Sequence, residues 1–312
     1  MTSKPLVSII IRTLNEQRHL EELLSAIKDQ DRTLYDIETV IIDSGSTDRT
    51  LEIAESYGCR VTYIKKEDFT FGRSLNEGCE FSDGAYLVLI SGHCIPCDKY
   101  WITNLVRPLE KDCSYTYGRQ LGRDTTKFSE RLLFGKYFPS ESNVPQIGFF
   151  CNNANAAIRR DIWETNRFNE ELTGCEDMYL AKHLVEVGKK IGYVADAGVY
   201  HIHDESWAKV KIRYEREAIA LQQIMPQVHV TCWDMIKYIS VGVVKDLKAA
   251  FHQGCLKDEF KSIIHFRIAQ YHGAYAGNHI HRKLSHQMKM KYFYPRVTNM
   301  DVSSSYDDKF KR

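Results

Sequence analysis

The hydrophobic pattern begins with Leu6-Val7-Ser8-Ile9-Ile10-Ile11, a short and almost continuous β-prone run. Such a run suits a strand buried on both faces of a parallel sheet. Leu20, Leu23, Leu24 and Ile27 then recur at helical spacing, with Asn15 as a candidate N-cap. The alternation repeats with a strand at 39–42, a helix at 47–57 that stops at Gly58, and a strand at 60–64. A further helix at 74–81 and a strand at 85–90 extend it, which predicts an α/β chain with a doubly wound open sheet. Ligands bind beyond the carboxyl ends of the strands in such sheets, so residues 12–16, 43–48 and 91–94 should converge on one crevice.

Past residue 110 the rhythm loosens, with strands expected at 115–117, 155–158 and 191–194 and helices at 207–225 and 233–251. We therefore expect a first unit at 1–205 and a mainly helical extension at 206–312, with no internal repeat and a frayed tail over the last dozen residues. Hydrophobic residues make up 43% and charged residues 27% of the 312, which is ordinary globular usage. The formal net charge of +1 is too balanced for a surface that tracks nucleic acid. Charge is uneven, however: from residue 205 onward 18 Lys and Arg face 10 Asp and Glu. This basic third fits either a solvated helical face or peripheral contact with anionic lipid at an inner membrane. Nine scattered cysteines, with Cys94 and Cys97 as the only close pair, read as structural thiols of a reducing compartment. No run approaches 18 apolar residues and Met1 leads straight into strand-like sequence, so a cytoplasmic protein is expected.

Candidate chemistry gathers at the strand ends. Asp43 opens Asp43-Ser44-Gly45-Ser46-Thr47-Asp48, where a carboxylate suits a base N–H or a ribose hydroxyl, or else simply caps the turn. Neither a Walker loop nor a Gly-x-Gly-x-x-Gly fingerprint occurs, which removes the main support for an NTPase or a dinucleotide oxidoreductase. His201 and His203 alternate, so both face one side of an extended segment. Glu176 and Asp177 fall in the first turn of a helix marked by Met178, Ala181, Leu184 and Val185. The helix dipole is expected to lower the carboxylate pKa there. Lys209, Lys211, Arg213 and Arg216 crowd another helix, either as solvated cations or as a partner for a diphosphate.

Thr13-Leu14-Asn15-Glu16 and IIDSGSTDRT at 41–50, taken together, resemble family 2 glycosyltransferases. The likeness continues in order through FTFGRSLNEG at 69–78, YGRQ at 117–120, NNANAAIRRDIW at 152–163 and Gly174-Cys175-Glu176-Asp177, covering roughly the first 215 residues. It is closest to bacterial rhamnosyltransferase-like members of capsule and lipopolysaccharide synthesis. The resemblance implies a GT-A nucleotide-sugar fold, an inverting mechanism and a nucleotide-sugar donor. It also implies a glycan or polyprenol-linked acceptor.

Carried onto this chain, the resemblance makes Asp177 the general base. Donor binding falls to Thr13, Glu16, Asp43, Arg73, Asn76, Ser91, His93, Arg119, Arg213 and Arg216. One departure stands out: the family's Asp-x-Asp is replaced here by Ser91-Gly92-His93. Without paired carboxylates, Mg²⁺ is disfavoured. His93 is left to ligate Mn²⁺ with His201 or His203, or to bond the diphosphate directly without metal. The rival expectations are a nucleotidyltransferase that forms the activated sugar and a non-catalytic nucleotide-sugar-binding protein.

Overall fold

The computed structural model describes residues 4–280. One eight-stranded sheet runs in the order β3-β2-β1-β4-β7-β6-β8-β5. Its first part is parallel: β1 (Leu6–Thr13) lies between β2 (Asp36–Asp43) and β4 (Tyr86–Ser91), with β3 (Arg60–Tyr63) outside β2. The runs of Val and Ile that mark these strands are buried on both sides, as the sequence pattern requires. The remaining strands are mixed in direction. β7 (Asn155–Arg159) is antiparallel to β4 and to β6 (Cys113–Leu121). β8 (Lys190–His201) is parallel to β6, and the three-residue β5 (Cys94–Pro96) closes antiparallel on β8.

Helices cover both faces. α1 (Gln17–Lys28) buries Leu20, Leu23, Leu24 and Ile27 beneath Ile9 and Ile11, together with α2 (Thr50–Ser56) and α4 (Trp101–Val106). Ile10, Ile42 and Leu89 point the other way, into a core shared with α3 (Phe71–Glu80), α6 (Arg160–Thr165) and α7 (Glu176–Glu186). This alternation along single strands is why the strands lack a polar face.

Two expectations need correction. Asn15 is not the cap of α1: it adopts φ +57° and bonds Thr47, while Glu16 takes the N-cap position. The first N–H groups of α1 are met from the next loop, where Thr50 Oγ1 accepts from Glu16 N at 2.8 Å and Asp48 Oδ2 from Gln17 N at 3.2 Å. The helix expected from residue 47 starts at Thr50, because 43–48 form the crossed loop.

Beyond the sheet lie α8 (Trp207–Ile224), α9 (Cys232–His252) and α10 (Leu256–Asn278). α8 and α10 approach so closely that a Cβ on Gly277 would sit 2.1 Å from Glu215 O. Arg267 of α10 and Asp246 of α9 form a buried bidentate pair, with Gln270 accepting a third guanidinium bond. α5 (Phe128–Tyr137) links this bundle to the sheet: Phe128 packs with Ala250 and Ile263. Among the described residues no helix is long and apolar enough to cross a membrane. The tail at 301–312 lies outside the described residues.

Candidate active site

The parallel strands end together, because Thr13 is in register with Asp43 and Arg12 with Ser91. Asp43 is buried, and all four of its acceptor positions are filled. Gly45 N and Ser46 N donate to Oδ1 at 2.9 and 2.8 Å, while Thr13 Oγ1 and Ser46 Oγ donate to Oδ2 at 2.8 and 2.5 Å. A carboxylate so engaged holds the β1 and β2 ends together and fixes the following loop. A ligand reaches it only by replacing one of these donors.

Next to this edge three imidazoles meet. One ring nitrogen from each of His93, His201 and His203 lies within 4.8 Å of the others. Every Nδ1 faces an oxygen: Glu16 Oε1 at 3.0 Å for His93, Gln120 Oε1 at 2.7 Å for His201, and Glu130 Oε1 at 2.8 Å for His203. These oxygens accept, so each Nδ1 carries a proton and leaves Nε2 as the nitrogen a ligand could use. Burial, first, and neighbouring positive charge, second, hold His201 and His203 well below the usual imidazole pKa. Both are therefore neutral at pH 7. Gly92 permits the close approach of Glu16, whose Cγ would lie 2.9 Å from a Cβ there. Orienting groups behind three clustered imidazoles fit a divalent transition ion. Imidazole nitrogen suits such ions better than it suits Mg²⁺, which takes oxygen.

Asp177 sits in the first turn of α7, after Cys175 in the left-handed region at φ +55°. Its side chain is buried, accepting from Asn153 N at 2.8 Å and Met178 N at 2.7 Å. The expected lowering of its pKa is overturned. Burial and the adjacent Glu176 carboxylate raise it from 3.8 to about 7, against the pull of the two amide bonds and Arg12. Glu176 Oε1 lies 3.4 Å from both Arg12 Nη1 and Asn153 Nδ2. Arg12 is in register with Ser91, two residues before His93, so the carboxylates and the imidazoles share the same end of the sheet.

The predicted cations separate into distinct roles. Arg213 is committed, with Nη2 2.6 Å from Glu130 Oε1 and Nε 2.9 Å from Glu205 Oε2. Glu130 thus joins His203 to α8, and its Oε2 is buried without a hydrogen-bond partner among the described residues. Arg216 makes no ion pair among the described residues. Its guanidinium lies 4.4 Å from the Phe71 ring centroid, the ring that Arg12 also covers at 5.0 Å. Arg73 pairs with Glu170 at 3.0 Å. Asn76 spends both amide groups on Trp163, Phe168 and Glu170, so these two side chains hold the 163–170 segment on α3. Arg119 falls at a register shift in β6 and lines a separate open cavity of about 400 Å³ with Cys97 and Asp196. Lys209 is exposed and Lys211 half-buried on α8, outside this network.

Sequence reasoning missed Gln120, Glu130 and Asn153 as contributors. Gln120 and Asn153 stand inside the YGRQ and NNANAAIRRDIW segments, so their neighbourhood was marked. Glu130 carried no signal beyond being an acid beside Phe128.

A mixed sheet of this order, with a carboxylate and three clustered imidazoles near its strand ends, is that of the GT-A fold. Residues 8–166, half of the chain, match Glycosyl transferase family 2, and the chain belongs to that family. It is similar to the O-antigen chain rhamnosyltransferase RfbN of Salmonella typhimurium, 28% identical over 211 residues, 64% of this chain and 67% of the relative. WbaN of Salmonella anatum, also an O-antigen chain rhamnosyltransferase, is 27% identical over 192 residues, covering 56% and 59%. The similar stretch thus spans about three fifths to two thirds of these relatives' own length. Among solved structures, a mannosyltransferase from Pyrobaculum calidifontis in complex with GDP-Man and Mn²⁺ matches with a TM-score of 0.56 at 18% identity, over 95% of this chain and 83% of that one. Staphylococcus aureus TarS 1–349 in complex with UDP-GlcNAc gives 0.51 at 14%, over 89% and 91%. At these identities the likeness is one of fold.

Proposed function

We propose that the protein is an inverting, nucleotide-sugar-dependent glycosyltransferase that extends a bacterial surface glycan of capsule or O-antigen type, on a glycan or polyprenol-linked acceptor. The observation that carries this reading is Asp177, a buried carboxylate at a helix start whose pKa of about 7 suits a general base near neutral pH. Asp177 takes the proton of an acceptor hydroxyl as its oxygen attacks the anomeric carbon. The bond from that carbon to the diphosphate oxygen breaks on the opposite face, so one displacement inverts the centre. Arg216, which lies over the Phe71 ring and makes no ion pair among the described residues, would meet the diphosphate, whereas Arg213 backs Glu130. Thr13, Glu16 and Asp43 shape the nucleoside end. His93, His201 and His203 would hold a divalent transition ion, Mn²⁺ in preference to Mg²⁺. Such an ion supplies positive charge to the departing diphosphate. The similarity to named rhamnosyltransferases favours a deoxyhexose as the transferred sugar.

The test is a donor screen against UDP, dTDP, GDP and CMP sugars with defined glycan acceptors, the product anomer read by NMR. Transfer with inversion is expected. Retention of configuration would remove the single-displacement role of Asp177, and pyrophosphate release from an NTP and a sugar phosphate would establish the nucleotidyltransferase instead.

A further inference from the structure

α9 is 21 residues long and turns one side inward. Gly242, Asp246 and Ala250, four residues apart, are buried, with Asp246 paired to Arg267 of α10. The opposite side presents large apolar side chains to solvent: Trp233 is 80% exposed, Phe251 68% and Val244 52%. At 100° per residue these three fall within about 20° of one line, spanning about 27 Å along the axis. Ile236, also exposed, flanks that line on one side. Lys237, Lys245 and Lys248, all exposed, lie on the other.

The acids of α9 are turned away from this face. Asp246 is buried, and Asp234 is folded back onto Thr231 in a capping box. The nearest exposed acid in sequence, Asp258, belongs to the start of α10. Exposed aromatic residues at both ends, aliphatic residues between them and an unopposed row of lysines make an unusual surface for a soluble helix. They are the side chains of a helix that lies flat in a lipid interface, its rings at headgroup depth and its ammonium groups on lipid phosphate. A second copy of the chain suits the face poorly. A two-fold contact would bring lysine against lysine with no carboxylate to separate them.

We propose that the outward face of α9 docks on an anionic phospholipid surface, with Trp233, Val244 and Phe251 entering the interface and Lys237, Lys245 and Lys248 pairing with headgroups. The basic excess noted in the sequence supports this only in part. Residues 205–280 hold ten Lys and Arg against seven Asp and Glu, and the larger share of the excess lies outside the described residues. The inference therefore rests on the arrangement on α9 rather than on net charge. It is independent of the catalytic reading, because docking is measured without donor or acceptor.

The experiment is co-sedimentation of the full chain with phosphatidylcholine vesicles, with and without phosphatidylglycerol, across a salt series. Tryptophan fluorescence is recorded alongside. Trp101 and Trp163 are already buried and Trp207 is 37% exposed, so the part of a blue shift that is lost in Trp233→Ala/Phe251→Ala reports Trp233. Binding should require phosphatidylglycerol, weaken with salt, and drop at least tenfold in Trp233→Ala/Phe251→Ala and in Lys237→Glu/Lys245→Glu/Lys248→Glu. Circular dichroism should stay unchanged in both variants, since all five side chains are exposed. Equal binding to both vesicle types, or undiminished binding by both variants, overturns the proposal. So does a wild-type dimer that ignores vesicles and is dissolved by Trp233→Ala/Phe251→Ala.

Discussion

Replacing Asp177 by Asn should separate catalysis from stability in opposite directions. In the folded protein the carboxyl has a pKa of about 7, against 3.8 for the ordinary group, because burial and Glu176 penalise its charged form. The folded state therefore holds a proton that the unfolded chain has released, and stability falls as pH rises between those two values. At pH 8 the cost is on the order of 4 kcal/mol, using 1.36 kcal/mol for each pKa unit. The Asn variant never carries that charge. It does point an amide N–H₂ at one of two backbone donors, Asn153 N or Met178 N, which costs about 1–3 kcal/mol at any pH. The difference in stability between variant and wild type should thus move by about 3 kcal/mol in the variant's favour from pH 5 to pH 8. Transfer should meanwhile fall by about 10²–10⁴-fold, the usual contribution of a general base. Urea unfolding at the two pH values gives the first quantity, and initial rates give the second. The wild-type pH–rate profile should lose activity on the acid side near pH 7. Near-wild-type turnover by a folded Asn variant, or an acid limb near pH 4, would refute the assignment.

The imidazole cluster should bind Mn²⁺ measurably and Mg²⁺ little by titration calorimetry, with His201→Ala abolishing the Mn²⁺ isotherm. Glu130→Gln, which changes the group behind His203 and also uncharges the partner of Arg213, should weaken Mn²⁺ binding by about 10–100-fold. Arg213→Ala should lower stability by about 3 kcal/mol in denaturant titrations, because it leaves the buried Glu130 carboxylate without its guanidinium. Arg216→Ala should leave stability within about 1 kcal/mol, since Arg216 makes no ion pair among the described residues. Its effect should appear as a tenfold or greater fall in kcat/KM for the donor. Asp43→Ala should reduce nucleotide affinity and also cost about 2–4 kcal/mol of stability, because it orphans Gly45 N and Ser46 N. An unaltered melting temperature in that variant would show that the loop is held by other contacts.

The parallel half of the sheet was legible because its strands are local runs of Val and Ile, and α1 because Leu20, Leu23, Leu24 and Ile27 mark a single buried stripe. α5 and α10 were not. α10 buries Arg267, Gln270, Gly273, Gly277 and Asn278 as well as Ile263 and Phe266, so its inward side has no apolar period. α5 buries Ser129 and Glu130 for a related reason: its inner face meets a polar site. Asn15 failed as a cap because helix capping in this loop is done across the chain by Asp48 and Thr50, a pairing that no local pattern encodes. The direction of the Asp177 pKa failed on the same ground. A helix start is visible in sequence, but burial and the proximity of Glu176 within the folded site outweigh the dipole.

The three histidines show most clearly how position in sequence becomes position in space. His201 and His203 share a side because side chains alternate, which the sequence states directly. His93 joins them only because the three residues of β5 pair antiparallel with β8, setting Cys94 opposite His201 and letting Ile202 N donate to His93 O at 3.1 Å. A slip of one residue in that short ladder would turn the His201 imidazole, at the end of β8, to the other face. The register is fixed by burial: Cys94, Ile95 and Val199 all enter one core, and His201 is tied to Gln120 on the neighbouring strand. Replacement of an acidic motif by Ser91-Gly92-His93 thus comes with a complete set of supports, each imidazole backed by Glu16, Gln120 or Glu130. Decay of a lost site would leave no reason for three separate elements to supply an oxygen to three separate Nδ1 atoms. Under the proposed function, that arrangement supports reading the departure from paired carboxylates as a change of ligand chemistry.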